Sequence, residues 1–319
     1  MRFPEIYILP INVFIGYLLS ILIIPKLIEM GKNFKFYDNP ESRKLHFKPI
    51  VFTGGLGIVI CSLLSSYISL IFEKSSTIEF DQRFLIIIFC SILCFMIGLA
   101  DDIYNLSPWS RLVCQFSISS LAWSQGISIS KINLFQNYYD LPTIVSFIIT
   151  IFWISAIVNA INWIDGIDGL AGGISAITIL GFIILSINNY EIVYLIFLSS
   201  LLGSCLGFLK FNFPPAKLIM GDGGSYYLGF IIASLAILNT EGNLINIFIP
   251  ILMILIPIFD MIFVISKRII KKKSPFFPDN NHIHHRLKKI GFSEKEILYY
   301  LYLFTFIFAG IGIAFSTII

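Results

Sequence analysis

Long apolar runs alternate with short polar segments along the whole chain. A helix needs roughly 20 apolar residues to cross a bilayer, and ten runs come close to that length. They lie near residues 5–25, 50–72, 84–100, 112–127, 142–161, 169–187, 191–209, 224–239, 244–266 and 297–317. The pattern therefore predicts an all-α fold, a single polytopic integral membrane domain over residues 1–319 with about ten transmembrane helices.

The polar segments between these runs differ in charge from one side to the other. Segments 26–49, 101–111, 162–168, 210–223 and 267–296 hold 18 of the 22 Lys and Arg residues, and the alternate set holds four. The positive-inside rule makes the basic set cytoplasmic, so both termini are expected outside. All four histidines lie in the same set. We therefore expect an active site on the cytoplasmic face.

Composition and the remaining segments add little chemistry. Only 13% of the residues are charged, about half the share of a soluble domain. The five cysteines lie in apolar runs without C-x-x-C spacing, which predicts buried thiols and neither disulfides nor metal ligands. The longest outer segment, 128–141, is amphipathic and predicts either a surface-lying stretch or a short hairpin.

The first cytoplasmic segment, Asp38 to Gly55, is basic and ends in glycines. Arg43, Lys44 and His46 precede Gly54 and Gly55, and bare glycines allow backbone N–H groups to approach an anion closely. A basic topology segment followed by a flexible helix start is the alternative interpretation.

The second segment contains two adjacent carboxylates, Asp101 and Asp102, at the end of a span. Ionisable residues there are expensive and are functional by default. Adjacent helix positions do not face each other, so one aspartate should face the site while the other binds backbone or a cation. Arg111, at the start of the next span, either returns to the same surface or extends towards the lipid headgroups.

The third and fourth segments carry oxygen ligands and glycines. Asn159, Asn162, Asp165 and Asp168 recur every three residues, which on a helix would place them around one face and would suit a hard cation with its phosphates. Asp222 stands between glycines at a predicted helix start, where free N–H groups favour a diphosphate, or where Asp acts as an N-cap.

The fifth segment gathers three of the four histidines, His282, His284 and His285, beside Arg286. Tandem histidines can bind zinc, but neither a Cys partner nor an H-E-x-x-H motif accompanies them. We interpret them as ligands for a diphosphate or a uracil base, with an inert tract as the alternative. Together the five segments predict Mg²⁺-dependent phosphoryl transfer between a soluble nucleotide and a lipid.

In order and content, these motifs resemble those of the polyprenyl-phosphate N-acetylhexosamine-1-phosphate transferases of glycosyltransferase family 4, which include the WecA-type enzymes. The resemblance runs from about Asp38 to Leu287. It implies transfer of a sugar-1-phosphate from a UDP-N-acetylhexosamine to undecaprenyl phosphate, with release of UMP. It also implies Mg²⁺, with Mn²⁺ as a substitute, and a bacterial cytoplasmic membrane. Membrane lipid is a further expected partner, a homodimer is a candidate assembly, and no nucleic acid is expected.

Motifs and resemblance together assign roles to single residues. The expected catalytic residues are Asp101, Asp102, Asp165 and Asp168, and the expected metal ligands are Asn162 and Asp222. Arg111 stands where many members carry a lysine that binds the lipid phosphate. The UDP-sugar is expected to bind Arg43, Lys44, His46, Gly54, Gly55, Asn159, Asp168, His282, His284, His285 and Arg286.

Three alternatives stay open at this point. A single displacement at the β-phosphate is expected, and a two-step route through an aspartyl-phosphate is the other mechanism. The run from His282 to Arg286 favours a GlcNAc-transferring enzyme over the phospho-MurNAc-pentapeptide branch, which favours three consecutive histidines. An ion-coupled transporter would need carboxylates near the midplane, but only Asp260 lies inside a predicted span, and it is about two helical turns from the basic run at the inner end. Val51 and Arg111 depart from the proline and lysine that are common in the family.

Overall fold

A computed structural model of the chain describes residues 7–38, 49–72, 81–134, 137–187, 192–241, 248–276 and 279–318. Helices dominate this part of the chain. They are α1 (Ile8–Asn33), α2 (Gly54–Phe72), α3 (Gln82–Tyr104), α4 (Pro108–Ser124), α5 (Thr143–Ile164), α6 (Leu170–Ser186), α7 (Ile192–Asn212), α8 (Gly221–Glu241), α9 (Phe248–Met253), α10 (Leu255–Ile270), α11 (Ile283–Ile290) and α12 (Glu294–Ile318). Short strands are β1 (Tyr37–Asp38), β2 (Ile50–Val51), β3 (Lys131–Leu134) and β4 (Asn137–Asp140).

The predicted class, an all-α polytopic membrane protein, is confirmed. Among the described residues, seven helices are long and apolar enough to cross a bilayer, namely α1, α2, α3, α5, α7, α8 and α12. Two more predicted spans fall on α4 and α6, each of 17 residues. The number of crossings and the side on which the termini lie stay predictions.

The ninth predicted span, near 244–266, is divided between α9 and α10. Ile254 separates the two helices with φ −113° and ψ 20°, and Pro257 lies in the first turn of α10. Proline has no N–H and cannot donate to the carbonyl four residues earlier, which belongs to Met253, the last residue of α9. The apolar run is therefore continuous in sequence but not in helical structure.

Helix α8 lies at the centre of the bundle. It packs against α2, α3, α5 and α6, and Tyr226, Tyr227 and Phe230 on it are fully buried. Gly229 approaches α5 so closely that a Cβ there would lie 2.7 Å from the Val158 Cα. Because α8 is enclosed on all sides, the unpaired N–H groups at its start must find partners within the protein.

The strands connect the helices. β1 pairs with β2 in antiparallel register, and the Val51 carbonyl in β2 accepts from the Ile219 N–H just before α8. β3 and β4 form an antiparallel hairpin within segment 128–141, which confirms the hairpin alternative. The five cysteines are free and all except Cys114 are buried, as predicted.

The predicted sidedness can be tested with single cysteines in a Cys114→Ser background. Asp140 in the hairpin is 82% exposed, and Asn280 is exposed near the histidines. We expect Asp140→Cys to react with a membrane-impermeant maleimide in intact cells, and Asn280→Cys to react only after permeabilisation. Labelling of Asn280→Cys in intact cells would contradict the cytoplasmic location of the histidine motif.

Candidate active site

The end of α3 and the start of α4 bring Asp101 and Arg111 together. Asn105 ends α3 in a left-handed conformation with φ 50°, and Ser107 caps α4 by accepting from the Ser110 N–H. Arg111 lies in the first turn of α4, and its Nη1 is 2.5 Å from Asp101 Oδ2. Arg111 thus does return to the surface that the aspartate pair occupies.

Asp102 binds the start of α8. Its Oδ1 accepts from the Asp222 N–H at 2.9 Å, and its Oδ2 accepts from the Gly223 N–H at 3.2 Å. A carboxylate at this position accepts from N–H groups that have no partner within the helix, and its negative charge interacts favourably with the positive end of the helix dipole. Asp102 therefore binds backbone, as we expected for one member of the pair, and Asp101 pairs with the Arg111 guanidinium. These two N–H groups, which we expected to bind a diphosphate, are occupied by Asp102, so that interpretation is wrong for them.

Two glycines permit this close approach of α3 and α8. At Gly98, a Cβ would clash with the Asp222 carbonyl. At Gly221, which has φ +75°, a Cβ would lie 2.7 Å from Asp102 Oδ2. Side chains at either position would push the Asp102 carboxylate away from the helix start.

Asp222 projects from the first turn of α8 towards α4 and α5. Its Oδ1 accepts from Asn162 Nδ2 at 2.7 Å, and Asn162 Nδ2 also lies 3.0 Å from Ser225 Oγ. Its Oδ2 lies 3.7 Å from Arg111 Nη1. Two residues predicted as metal ligands are therefore direct neighbours, and the lipid-phosphate candidate Arg111 lies beside them.

Asp165 and Asp168 lie beyond the end of α5 and not on its face. The helix ends at Ile164, and Gly169 adopts φ +82° before α6 begins, so the predicted single helical face holds only for Asn159 and Asn162. Asp168 Oδ2 accepts from the Ala216 N–H at 2.9 Å.

Two residues that sequence reasoning missed fix this turn. Asn212 Oδ1 accepts from the Gly169 N–H at 2.8 Å, and the Tyr302 hydroxyl donates to the Gly169 carbonyl at 2.5 Å. Asn212 ends α7 and lies in the predicted cytoplasmic segment 210–223, which also contains Asp222. Tyr302 lies in an apolar run that gave no signal.

These carboxylates share one cavity with a volume of about 490 Å³. Its wall includes Arg111, His285 and six aspartates: Asp38, Asp101, Asp102, Asp165, Asp168 and Asp222. Burial, together with the charges of Asp102, Asp168 and Asp38, raises the pKa of Asp165 to about 8. So many carboxylates around one space leave an excess of negative charge that a bound cation would neutralise.

The oxygen donors of this cavity fit a hard divalent cation. Asp222 has one carboxylate oxygen that Asn162 does not occupy, and Mg²⁺ prefers oxygen ligands. Among the described residues, no three His, Cys, Asp or Glu side chains are arranged to hold a metal by themselves. In the usual Mg²⁺ site, one or two carboxylates act together with substrate phosphates.

The histidine segment, residues 279–290, is bound to α10 by Asp260, whose role the sequence did not reveal. The Asp260 carboxylate is fully buried and accepts from the Ile283 N–H at 2.6 Å. His282 Nδ1 lies 2.8 Å from Asp260 Oδ2, and Arg286 Nη2 lies 3.5 Å from Asp260 Oδ1. This carboxylate, which kept a transporter among the alternatives, is thus occupied by the histidine segment.

His284 and His285 occupy different surroundings. His284 is 1% exposed and packs on Gly166, where any Cβ would clash with its ring. His285 is half-buried and lines the acidic cavity. Burial foremost, then neighbouring positive groups, lowers the pKa of both rings, that of His284 strongly. Both are therefore neutral near pH 7, and of the two only His285 lines this cavity.

A second cavity of about 270 Å³ adjoins the first and shares Arg111 and His285 with it. Asn159, Trp163 and His282 also line it. It therefore combines amide, indole and imidazole groups, whereas the first cavity is dominated by carboxylates.

The remaining predicted binding residues are less directly placed. The Gly54 and Gly55 N–H groups donate to the carbonyls of Ile219 and Met220, so they hold α2 against the start of α8 and do not face an anion as expected. Arg286 contacts Asp260. The predicted residues Arg43, Lys44 and His46 lie outside the described residues.

Comparison with known proteins finds one family and a consistent set of relatives. Residues 84–240 match the sequence model of glycosyl transferase family 4. A probable undecaprenyl-phosphate N-acetylglucosaminyl 1-phosphate transferase from Bacillus subtilis is 33% identical over 93% of this chain and 82% of its own length.

Two further relatives are named undecaprenyl-phosphate alpha-N-acetylglucosaminyl 1-phosphate transferase. The Thermotoga maritima protein is 29% identical over 93% of this chain and 88% of its own length. The Haemophilus influenzae protein is 29% identical over 95% of this chain and 86% of its own length.

The contact between α3 and α8 can be tested with one methyl group. Gly98→Ala should lower the melting temperature and abolish most activity, because the methyl collides with the Asp222 carbonyl, and overpacking costs about 1–3 kcal/mol. Gly310→Ala in α12 is the matched control, since nothing lies within 4 Å of a Cβ there. Thermal unfolding in detergent measures both variants, and equal melting temperatures would contradict the close contact.

Proposed function

The chain belongs to glycosyl transferase family 4, and we propose that it transfers N-acetylglucosamine-1-phosphate from UDP-N-acetylglucosamine to undecaprenyl phosphate. The relatives at 29–33% identity carry the name of this activity over nearly the whole chain. The observation that carries the proposal is the cavity in which Arg111 lies between Asp101 and Asp222. There, one cation is positioned for an acceptor phosphate beside carboxylates suited to a metal and a diphosphate.

In the proposed reaction an oxygen of the lipid phosphate attacks the β-phosphorus of the nucleotide sugar. The bond from that phosphorus to the oxygen bridging the two phosphates breaks, and UMP leaves. Arg111 binds the acceptor phosphate, and Asp101 is the aspartate available to accept its proton, because both oxygens of Asp102 accept backbone N–H groups. Asp222 and Asn162 would hold Mg²⁺, which neutralises charge on the phosphates when bound.

The wider setting is part of the proposal. The cytoplasm supplies the nucleotide sugar, so the cavities open on the cytoplasmic side of a bacterial inner membrane. The product, a lipid-linked N-acetylglucosamine diphosphate, would begin a cell-surface glycan.

Membranes carrying the protein provide the direct test. With undecaprenyl phosphate and a panel of UDP-sugars, we expect UMP release with UDP-N-acetylglucosamine and little with UDP-MurNAc-pentapeptide. Release with the pentapeptide donor alone would assign the chain to the other branch. No release with any donor, while a control enzyme is active, would reject the proposed reaction.

Asp222→Asn should remove most Mg²⁺-dependent turnover. The amide keeps the size of the side chain but removes the charge, and loss of one such group costs ~10²–10³ in rate. Asp140→Asn is the control, since Asp140 is exposed and its carboxylate lies 3.5 Å from the Lys131 ammonium across the hairpin. UMP release at several Mg²⁺ concentrations measures both, and wild-type kcat for Asp222→Asn at low Mg²⁺ would exclude the metal role.

Arg111→Ala should raise the KM for undecaprenyl phosphate by about 10- to 100-fold. This corresponds to the loss of one charge-assisted hydrogen bond, which contributes about 1.5–3 kcal/mol. Arg111→Lys should restore part of the affinity, because charge remains while the bidentate geometry is lost. The KM for the UDP-sugar should change much less. An equal rise in both KM values would place Arg111 on the donor diphosphate.

A further inference from the structure

Within the described part of the chain, the polar partners of the Asp260 carboxylate come from the histidine segment. A buried carboxylate is costly unless it is paired and hydrogen-bonded, and here the partners are His282, Ile283 and Arg286. The nearby Arg286 guanidinium favours the ionised form of this carboxylate. An ionised carboxylate only accepts hydrogen bonds, and in that state the proton of the pair lies on Nδ1 of His282. The ring nitrogen left for another partner is Nε2.

The same carboxylate caps a short helix. His282 is the N-cap residue of α11, and its side chain makes no capping bond. The Ile283 N–H, an orphan donor of the first turn, is instead accepted by Asp260 Oδ1. A helix of eight residues is too short to be stable alone, so this remote cap contributes to the position of α11.

The His282 ring is also held from its faces. Trp163 contacts it edge-on with ring centroids 5.6 Å apart, and His284 stacks on it at 5.8 Å. Trp163 and His282 both line the smaller cavity, together with Arg111 and His285. Packing therefore fixes the plane of the ring, and the bond to Asp260 fixes its rotation and the location of its proton.

We propose that Asp260 is a positioning residue that holds His282 in the tautomer whose Nε2 binds the nucleotide sugar in the smaller cavity. This inference rests on the proposed function, because it names a contact of the donor substrate. A carboxylate that orients a histidine through Nδ1 is a general device for presenting Nε2 to a substrate. Asp260 itself touches no substrate.

Kinetics of Asp260→Asn, His282→Ala and the double variant test this role. His282 Nδ1 and the Ile283 N–H bind different oxygens of Asp260, so replacing one oxygen by an NH₂ group leaves one of these donors without its acceptor. We expect each single variant to raise the KM for the UDP-sugar by about 10- to 100-fold, with the KM for undecaprenyl phosphate unchanged. Since Asp260 acts through His282, the double variant should resemble the single ones to within about twofold.

Asp81→Asn is the matched control. Asp81 caps α3 by accepting from the Arg83 N–H at 3.1 Å, and it also accepts from the Tyr194 hydroxyl at 2.9 Å. Its loss should lower thermal stability while both KM values stay at wild-type levels. Multiplying effects in the Asp260–His282 double variant, or equal rises in both KM values, would overturn the positioning role.

Hydrogen exchange gives a readout that needs no activity. Asp260→Ser removes both acceptors and should increase amide exchange over residues 283–290, and Asp81→Asn should not. Unchanged exchange in Asp260→Ser would overturn the remote cap and with it the proposal. If Asp260→Asn fails to insert, Asp260→Ser replaces it in the kinetic cycle. If the wild-type protein released no UMP, only the proposed function would be rejected. The exchange result would still report on the contact between Asp260 and α11.

Discussion

The bonds from the Asp102 carboxylate to the first N–H groups of α8 are the interaction on which the site depends. Helix α8 begins beside the acidic cavity, and a donor there that is buried without a partner would cost about 1–3 kcal/mol. Satisfying these donors with a side chain of α3 brings α3 and α8 into close contact, which Gly98 and Gly221 permit. The direction of Asp222 follows from this contact. Arg111 then reaches both Asp101 and Asp222 because the turn after α3 is short.

Mutual repulsion of the carboxylates in the acidic cavity costs stability unless bound ligands offset their charge. Six aspartates in one wall repel one another, and the raised pKa of Asp165 reflects burial as well as that repulsion. Under the proposed function both substrates are phosphate anions, which such a cavity would also repel. Under this proposal a divalent cation would be a condition for binding the donor diphosphate and not only an aid to the chemistry. Arg111 would offset the charge of the acceptor.

Sequence patterns predicted the elements far better than the contacts between them. Apolar run length located the helices, because burial in lipid imposes length and composition. It could not reveal the break before Pro257, since apolar residues continue through it. The carboxylates were identified as functional, yet the bond between Asp102 and the start of α8 joins residues 120 positions apart, which no local pattern reports. Gly54 and Gly55 were expected to face an anion, but the bundle uses their N–H groups for packing.

Asp260 shows how the same pattern can mislead about chemistry. A lone carboxylate in an apolar run suggests ion coupling, because its partner cannot be seen from the neighbouring residues. The structure supplies the partner from a segment 22 residues later. A second buried pair, Arg268 with Asp279 at 3.0 Å, binds the beginning of that segment. These two sets of polar contacts thus hold α11 in place, since so short a helix has too little apolar surface to be held by packing alone. The same contacts position His285, which borders both cavities.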